Sequence, residues 1–169
     1  MRDQTSKRVR RVAYDGLFAA LAFGFTYVEI LLPIDLGNGI KLGLANVVTL
    51  FVIYRIGVID AVAISLVRIL LAGALFNASA VPYSLCGAAL SILVMVLLRK
   101  TNAFSPTVVS IAGAVAHNLG QVICSAVLLR TTAIFWYFFV LVVTGVIGGC
   151  LVGLLAAWIM KRFEKHVKL

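Results

Sequence analysis

The amino-acid sequence predicts an all-α integral membrane protein, a bundle of six transmembrane helices with both termini in the cytoplasm. Three observations carry that expectation. Of the 169 residues, 63% are hydrophobic and 12% charged, and the mean hydropathy is +1.11, a composition outside the range of soluble globular domains. Apolar runs recur six times along the chain, and a bilayer core requires about 20 apolar residues per helix. The basic residues collect at alternate ends of those runs, which orients them. The runs are continuous rather than alternating, so helices are expected and a barrel is not.

The first run, 12–32, follows five basic residues but is too long, and too well followed by other runs, to be a cleaved signal peptide. It carries Gly16, Ala20 and Gly24, small residues on one face. Such a ladder lets helix backbones approach closely, either within the bundle or against a partner membrane protein. The polar connection 33–41, "PIDLGNGIK", has the Pro, Asp and Gly content of an ordered turn and is expected as an outward cover. The second run, 42–54, is the shortest. The third, fourth and fifth runs are 58–76, 81–98 and 106–129. The sixth, 135–160, holds a second ladder, Gly145, Gly149 and Gly153, open to the same two readings. Cys86, Cys124 and Cys150 fall one per run in the last three, with no CxxC pair, and read as small core residues. No hydrophilic block is long enough to fold alone, so residues 1–169 form one transmembrane domain with basic cytoplasmic tails at 1–11 and 161–169.

A net charge of +9 on a soluble chain would suggest nucleic acid, but topology accounts for it here. Arg2, Lys7, Arg8, Arg10, Arg11, Arg55, Arg99, Lys100, Lys161, Arg162, Lys165 and Lys168 all fall on one side, leaving Lys41 and Arg130 opposite and Arg68 within a run. The basic tails also suit anionic headgroups. The location implied is a cell membrane crossed several times, with the lipid bilayer as a partner.

Several polar groups sit at depth. Arg68 lies ten residues beyond Val58, about 15 Å at helical rise and near the midplane. A charge there costs at least ~2.5 kcal/mol, so it needs a partner or a wet cavity. His117, eleven residues past Pro106 in "AGAVAHNLGQ", falls at similar depth; Gln121 is one turn on, and Asn118 lies at its edge. Glu29, Asn46 and Lys41 lie further out. Together these residues describe a polar funnel that opens outward and closes near the midplane. Interhelical hydrogen bonding is the alternative for His117, Asn46 and Asn118, and pairing with Glu29 or helix carbonyls is the alternative for Arg68.

The stretches "IKLGLANVVTLF", 40–51, and "SPTVVSIAGAVAHNLGQ", 105–121, resemble the bacterial family called either the Gx transporter family or heptaprenyl diphosphate synthase component I, over about 17–157. That family is in turn similar to the substrate-binding S components of energy-coupling factor (ECF) importers. The resemblance implies an ECF S-component-like fold in the bacterial cytoplasmic membrane, with an unidentified small-molecule ligand entering from outside. It also implies an ECF-type transmembrane coupling subunit met by small residues of the first helix, here Gly16, Ala20 and Gly24, and two ATPases driving it. An accessory role in prenyl diphosphate synthesis, and a membrane anchor for flavin-linked extracellular electron transfer, are the other functions the family carries.

Catalysis by this chain is not expected. Prenyl elongation needs paired Asp-rich motifs to hold magnesium, whereas the six acidic residues Asp3, Asp15, Glu29, Asp35, Asp60 and Glu164 are scattered. No GxxxxGK[ST], HExxH or nucleophile-base pairing occurs, so no catalytic residue, metal site or cofactor is implied. The candidate ligand residues are Arg68, His117, Gln121, Asn118, Asn46, Lys41 and Glu29, with Arg68 neutralising a ligand group, His117 and Gln121 orienting it, and the asparagines shaping the wall.

Overall fold

A computed structural model of the chain describes residues 2–31 and 43–163, and these are all-helical. The order is α1 Arg2–Leu31, α2 Ala45–Arg55, α3 Val58–Leu75, a one-turn 3-10 helix Ala78–Ala80, α4 Val81–Lys100, α5 Pro106–Leu129 and α6 Phe135–Phe163. Among the described residues, five helices are long and apolar enough to cross a membrane. Large apolar side chains such as Ile59, Val127, Trp136 and Phe139 face outward, as lipid contact requires. The chain is a multi-pass membrane protein.

α2 corrects the expectation of six full spans. Its 11 residues extend about 16 Å at helical rise, half a bilayer core. It serves instead as an internal post: Val52 and Ile53 have no exposed surface and Leu50 almost none, and α1, α3, α5 and α6 pack around it. A helix apolar on every side is stable where every side is covered. The basic stretch 2–11, expected as a tail, is instead the first part of α1, and α6 continues three residues past 160. The connection 33–41 and the last residues of the C-terminal tail, 164–169, lie outside the described residues.

α5 is flanked along its length by α4 and α6. It begins where the Ser105 hydroxyl accepts the Val108 N–H at 3.4 Å and Pro106 occupies the first turn, a position where its missing N–H costs nothing. The seams beside it are close. A Cβ placed on Gly149 would lie 2.7 Å from the Ile111 Cα, and one on Gly153 2.7 Å from the Thr107 Cα. The α6 ladder is therefore an internal seam.

The ladder on α1 is not part of any such seam. No neighbouring atom comes within 4 Å of a Cβ built on Gly16 or Gly24, and Gly16 and Ala20 are exposed. α1 is held by side chains on its other faces. Arg11 grips Asp60 of α3 with two bonds, Nε to Oδ1 at 2.7 Å and Nη2 to Oδ2 at 2.5 Å. Phe18 meets Phe51 of α2 at 5.5 Å between centroids, and Phe23 and Tyr27 stack on Phe76 at the end of α3.

Basic residues assigned from sequence to topology alone also close helix ends. Arg99 donates to the Ile53 carbonyl and, at 3.1 Å, to the Tyr54 carbonyl, with its guanidinium over the Tyr54 ring. Arg55 donates to the Met160 carbonyl at 3.0 Å. Each supplies a cation and a donor where helix carbonyls lack intrahelical partners. Of the cysteines, Cys124 is buried and Cys150 half-buried, but Cys86 is exposed rather than in the core, beside Cys124 of α5.

Candidate functional site

The bundle holds an open cavity of about 640 Å³ towards the end where α1 and α3 finish and α2 and α4 begin. Arg68, His117, Gln121, Asn118, Asn46 and Glu29 all line it. They come from four different helices, α1, α2, α3 and α5, and the chain brings them to one space. Lys41 lies outside the described residues, and the α1 ladder is not part of the lining.

Arg68 projects from the middle of α3. Its Nη1 donates to the Thr26 hydroxyl of α1 at 3.4 Å, and its buried Nε has no hydrogen-bond partner. Of the two anticipated structural partners, no helix carbonyl accepts from it among the described residues, while the Glu29 carboxylate acts on it electrostatically. The Thr26 hydroxyl donates to the Ala22 carbonyl at 3.0 Å. It has one proton, so it can meet Arg68 only as an acceptor.

Two glycines on opposite sides of α5 set the positions of the α5 side chains. A Cβ on Gly87 of α4 would fall 2.9 Å from His117 Nε2 and 3.0 Å from Gln121 Cγ, so the missing side chain is the space those two residues occupy. On the other side, Asn118 Nδ2 donates to the Leu141 carbonyl of α6 at 2.7 Å and lies where a Gly145 side chain would be. The interhelical bond anticipated as the alternative for Asn118 is therefore present, on a residue that also lines the cavity.

At the rim, Glu29 Oε1 accepts the Gly43 N–H and so ties the end of α1 to the approach to α2. Gly43 has φ 76°, a left-handed conformation that costs glycine nothing. It directs the chain into Asn46, whose N–H bonds the Gly43 carbonyl at 2.8 Å. The cavity runs deeper than the expected funnel: Ser110 and Val152 line it, and Ser110 is two turns from His117 on α5, about 10 Å nearer the basic end of the bundle.

Sequence reasoning missed the hydroxyls Thr26, Tyr83, Ser84 and Thr144, all of which line the cavity. Serine and threonine satisfy themselves on the preceding helical turn, as Thr144 does on the Val140 carbonyl at 3.1 Å, so they carry no insertion penalty that would mark them. One signal was available: Thr26, Glu29 and Ile30 share a helical face. No group of three or more His, Cys, Asp or Glu that could hold a metal occurs among the described residues.

A protein-family model described as heptaprenyl diphosphate synthase component I matches residues 18–159. No curated protein and no solved structure matches the chain.

Proposed function

The chain belongs to the heptaprenyl diphosphate synthase component I family, and from that premise we propose that it is a non-catalytic membrane subunit that holds a small molecule within its helices and acts with partner proteins. The observation that carries this reading is the convergence of six polar residues from four helices on one cavity of about 640 Å³, inside the ~300–1,000 Å³ range of small-molecule sites. Apolar walls supply most of the binding energy in such a site, and a few placed polar groups give specificity. Arg68 meets a negative or strongly polar group, His117 and Gln121 orient the ligand, Asn46 and Asn118 shape the wall, and Glu29 borders the mouth.

With the basic ends cytoplasmic, the cavity faces outward and loads from the extracytoplasmic side of a bacterial cytoplasmic membrane. The reading is uptake in the manner of an ECF S component, with the uncovered face of Gly16, Ala20 and Gly24 meeting a transmembrane coupling subunit driven by ATPases. The family's description favours a second reading: a membrane accessory to a separate prenyl-elongating subunit.

Purification from native membranes with partners intact separates the two. Recovery with a coupling subunit and ATPases, and uptake in reconstituted vesicles that needs ATP, supports transport. Recovery with a prenyl-elongating enzyme, whose product chain length changes when this chain is removed, supports the accessory role, and recovery with a lipid-anchored flavoprotein supports an electron-transfer anchor. His117→Ala should release whatever small molecule co-purifies without altering helicity. Retention of that molecule at wild-type occupancy would count against the cavity as its site.

A further inference from the structure

We propose that Cys86 of α4 and Cys124 of α5 form a redox-active dithiol, whose oxidation to a disulfide by a lipid-soluble oxidant of the quinone class clamps the two helices beside the cavity. The inference goes beyond the binding reading and stands whether or not the cavity holds a small molecule.

The α4–α5 crossing carries it. A Cβ on Gly120 would lie 2.6 Å from the Cys86 carbonyl oxygen and 3.0 Å from its carbonyl carbon, so the two backbones meet at Cys86. Cys124 follows Gly120 by one turn on the same face of α5. In a helix each Cα–Cβ bond tilts towards that helix's own N-terminus, and α4 and α5, joined by the short turn 101–105, run in opposite directions. Cys86 therefore leans towards the start of α4 and Cys124 leans back over Gly120, which closes the one-turn offset between them. The two thiols lie beside each other and interact, and both are free. A disulfide needs Cα atoms within roughly 7 Å, and helices in backbone contact are the ones that offer it.

Exposure and depth assign the roles. Cys124 is buried, whereas Cys86 is exposed on a stripe shared with Pro82, Ala89 and Leu93. None of these four residues lines the cavity, so the stripe faces lipid. Cys86 lies five residues into α4, about 7.5 Å at helical rise. A quinone dissolved in the bilayer reaches that depth, and a water-borne disulfide does not. In the step, two S–H bonds break and one S–S bond forms, and the quinone takes up both electrons and both protons to leave as a quinol. Tyr83 and Ser84 of α4 and His117 and Gln121 of α5 line the cavity within two turns of the bridged residues, so the bridge fixes that part of the wall.

The full chain in nanodiscs, treated with duroquinone, whose ring has no free position for a thiol to add to, would be followed by intact mass. The expected result is the loss of two hydrogen atoms per chain with one quinol formed. Digestion of the oxidised wild type should yield α4 and α5 peptides linked through Cys86 and Cys124. Cys150→Ala should behave as the wild type, and Cys86→Ala and Cys124→Ala should keep their full mass. The oxidised chain should melt roughly 5–10 °C above the reduced one. An unchanged wild-type mass, a link to Cys150, or oxidation that survives in Cys86→Ala or Cys124→Ala would overturn the inference. Oxidation by glutathione disulfide in water but not by the quinone would overturn it as well, and so would oxidised and reduced chains that melt together.

Discussion

The two small-residue ladders are alike in sequence and opposite in structure. Gly145, Gly149 and Gly153 repeat every four residues on α6, and Gly16, Ala20 and Gly24 do the same on α1. On α6 the absent side chains let the α5 backbone in, with Ile111 and Thr107 Cα atoms 2.7 Å from where Cβ atoms would stand. On α1 nothing occupies the corresponding space within 4 Å of Gly16 or Gly24. The spacing thus says only that close approach is permitted. Whether it is used inside the bundle depends on what else the helix offers, and α1 offers Arg11, Phe18, Phe23 and Tyr27 on other faces.

The largest expected effect is on α6. Gly149→Ala forces a methyl group against backbone, which cannot rotate away as a side-chain tip can, and overpacking of this kind costs ~1–3 kcal/mol. Gly153→Ala, with the same 2.7 Å approach, should match it, and the pair together should reduce the yield of monodisperse protein. Thermal melting in detergent measures both. A Gly149→Ala protein as stable as the wild type would mean that α5 and α6 are further apart than described. The seam also forms part of the cavity wall, since Gly145 and Gly149 line it, so ligand occupancy should fall with stability.

A smaller loss is expected from the side-chain attachment of α1. Asp60 is 4% exposed at the start of α3, and Arg11→Ala would leave its carboxylate without the two guanidinium bonds. Arg11→Ala should therefore melt below the wild type but above Gly149→Ala, and Arg11→Ala combined with Asp60→Asn should recover part of the loss, because the stranded charge is then gone. No recovery in the double variant would show that the pair is incidental, leaving the aromatic contacts to hold α1.

These contrasts mark how far the sequence was legible. The helices could be read because a bilayer demands long apolar runs, and Arg68, His117, Gln121, Asn118, Asn46 and Glu29 stood out because polar groups in such runs carry a cost. What could not be read depended on neighbours. α2 looked like a short span because its composition is the same whether lipid or protein covers it. Thr26 and Thr144 were hidden by their bonds to the preceding turn, and Arg99 looked like a topology signal although it also closes the end of α2. The direction of each ladder belongs to this second group, since a glycine pattern has no side chain to show what it faces.

The smallest expected effect has the opposite sign. In a helix interior, glycine is less favourable than alanine by ~0.5–1 kcal/mol because it loses more backbone freedom on folding. At Gly16 and Gly24 an added methyl would meet nothing within 4 Å, so the propensity gain is not offset by a clash. Gly16→Ala and Gly24→Ala should each raise the melting temperature of the isolated chain by a degree or two, where Gly149→Ala lowers it. The same variants probe the docking reading of this face. If a partner helix uses the absence of side chains there, the two substitutions, and Gly16→Leu or Gly24→Leu more strongly, should weaken recovery of that partner while leaving the isolated chain no less stable. A drop in the stability of the isolated chain would instead place another part of the molecule against α1, and the ladder would then be internal after all.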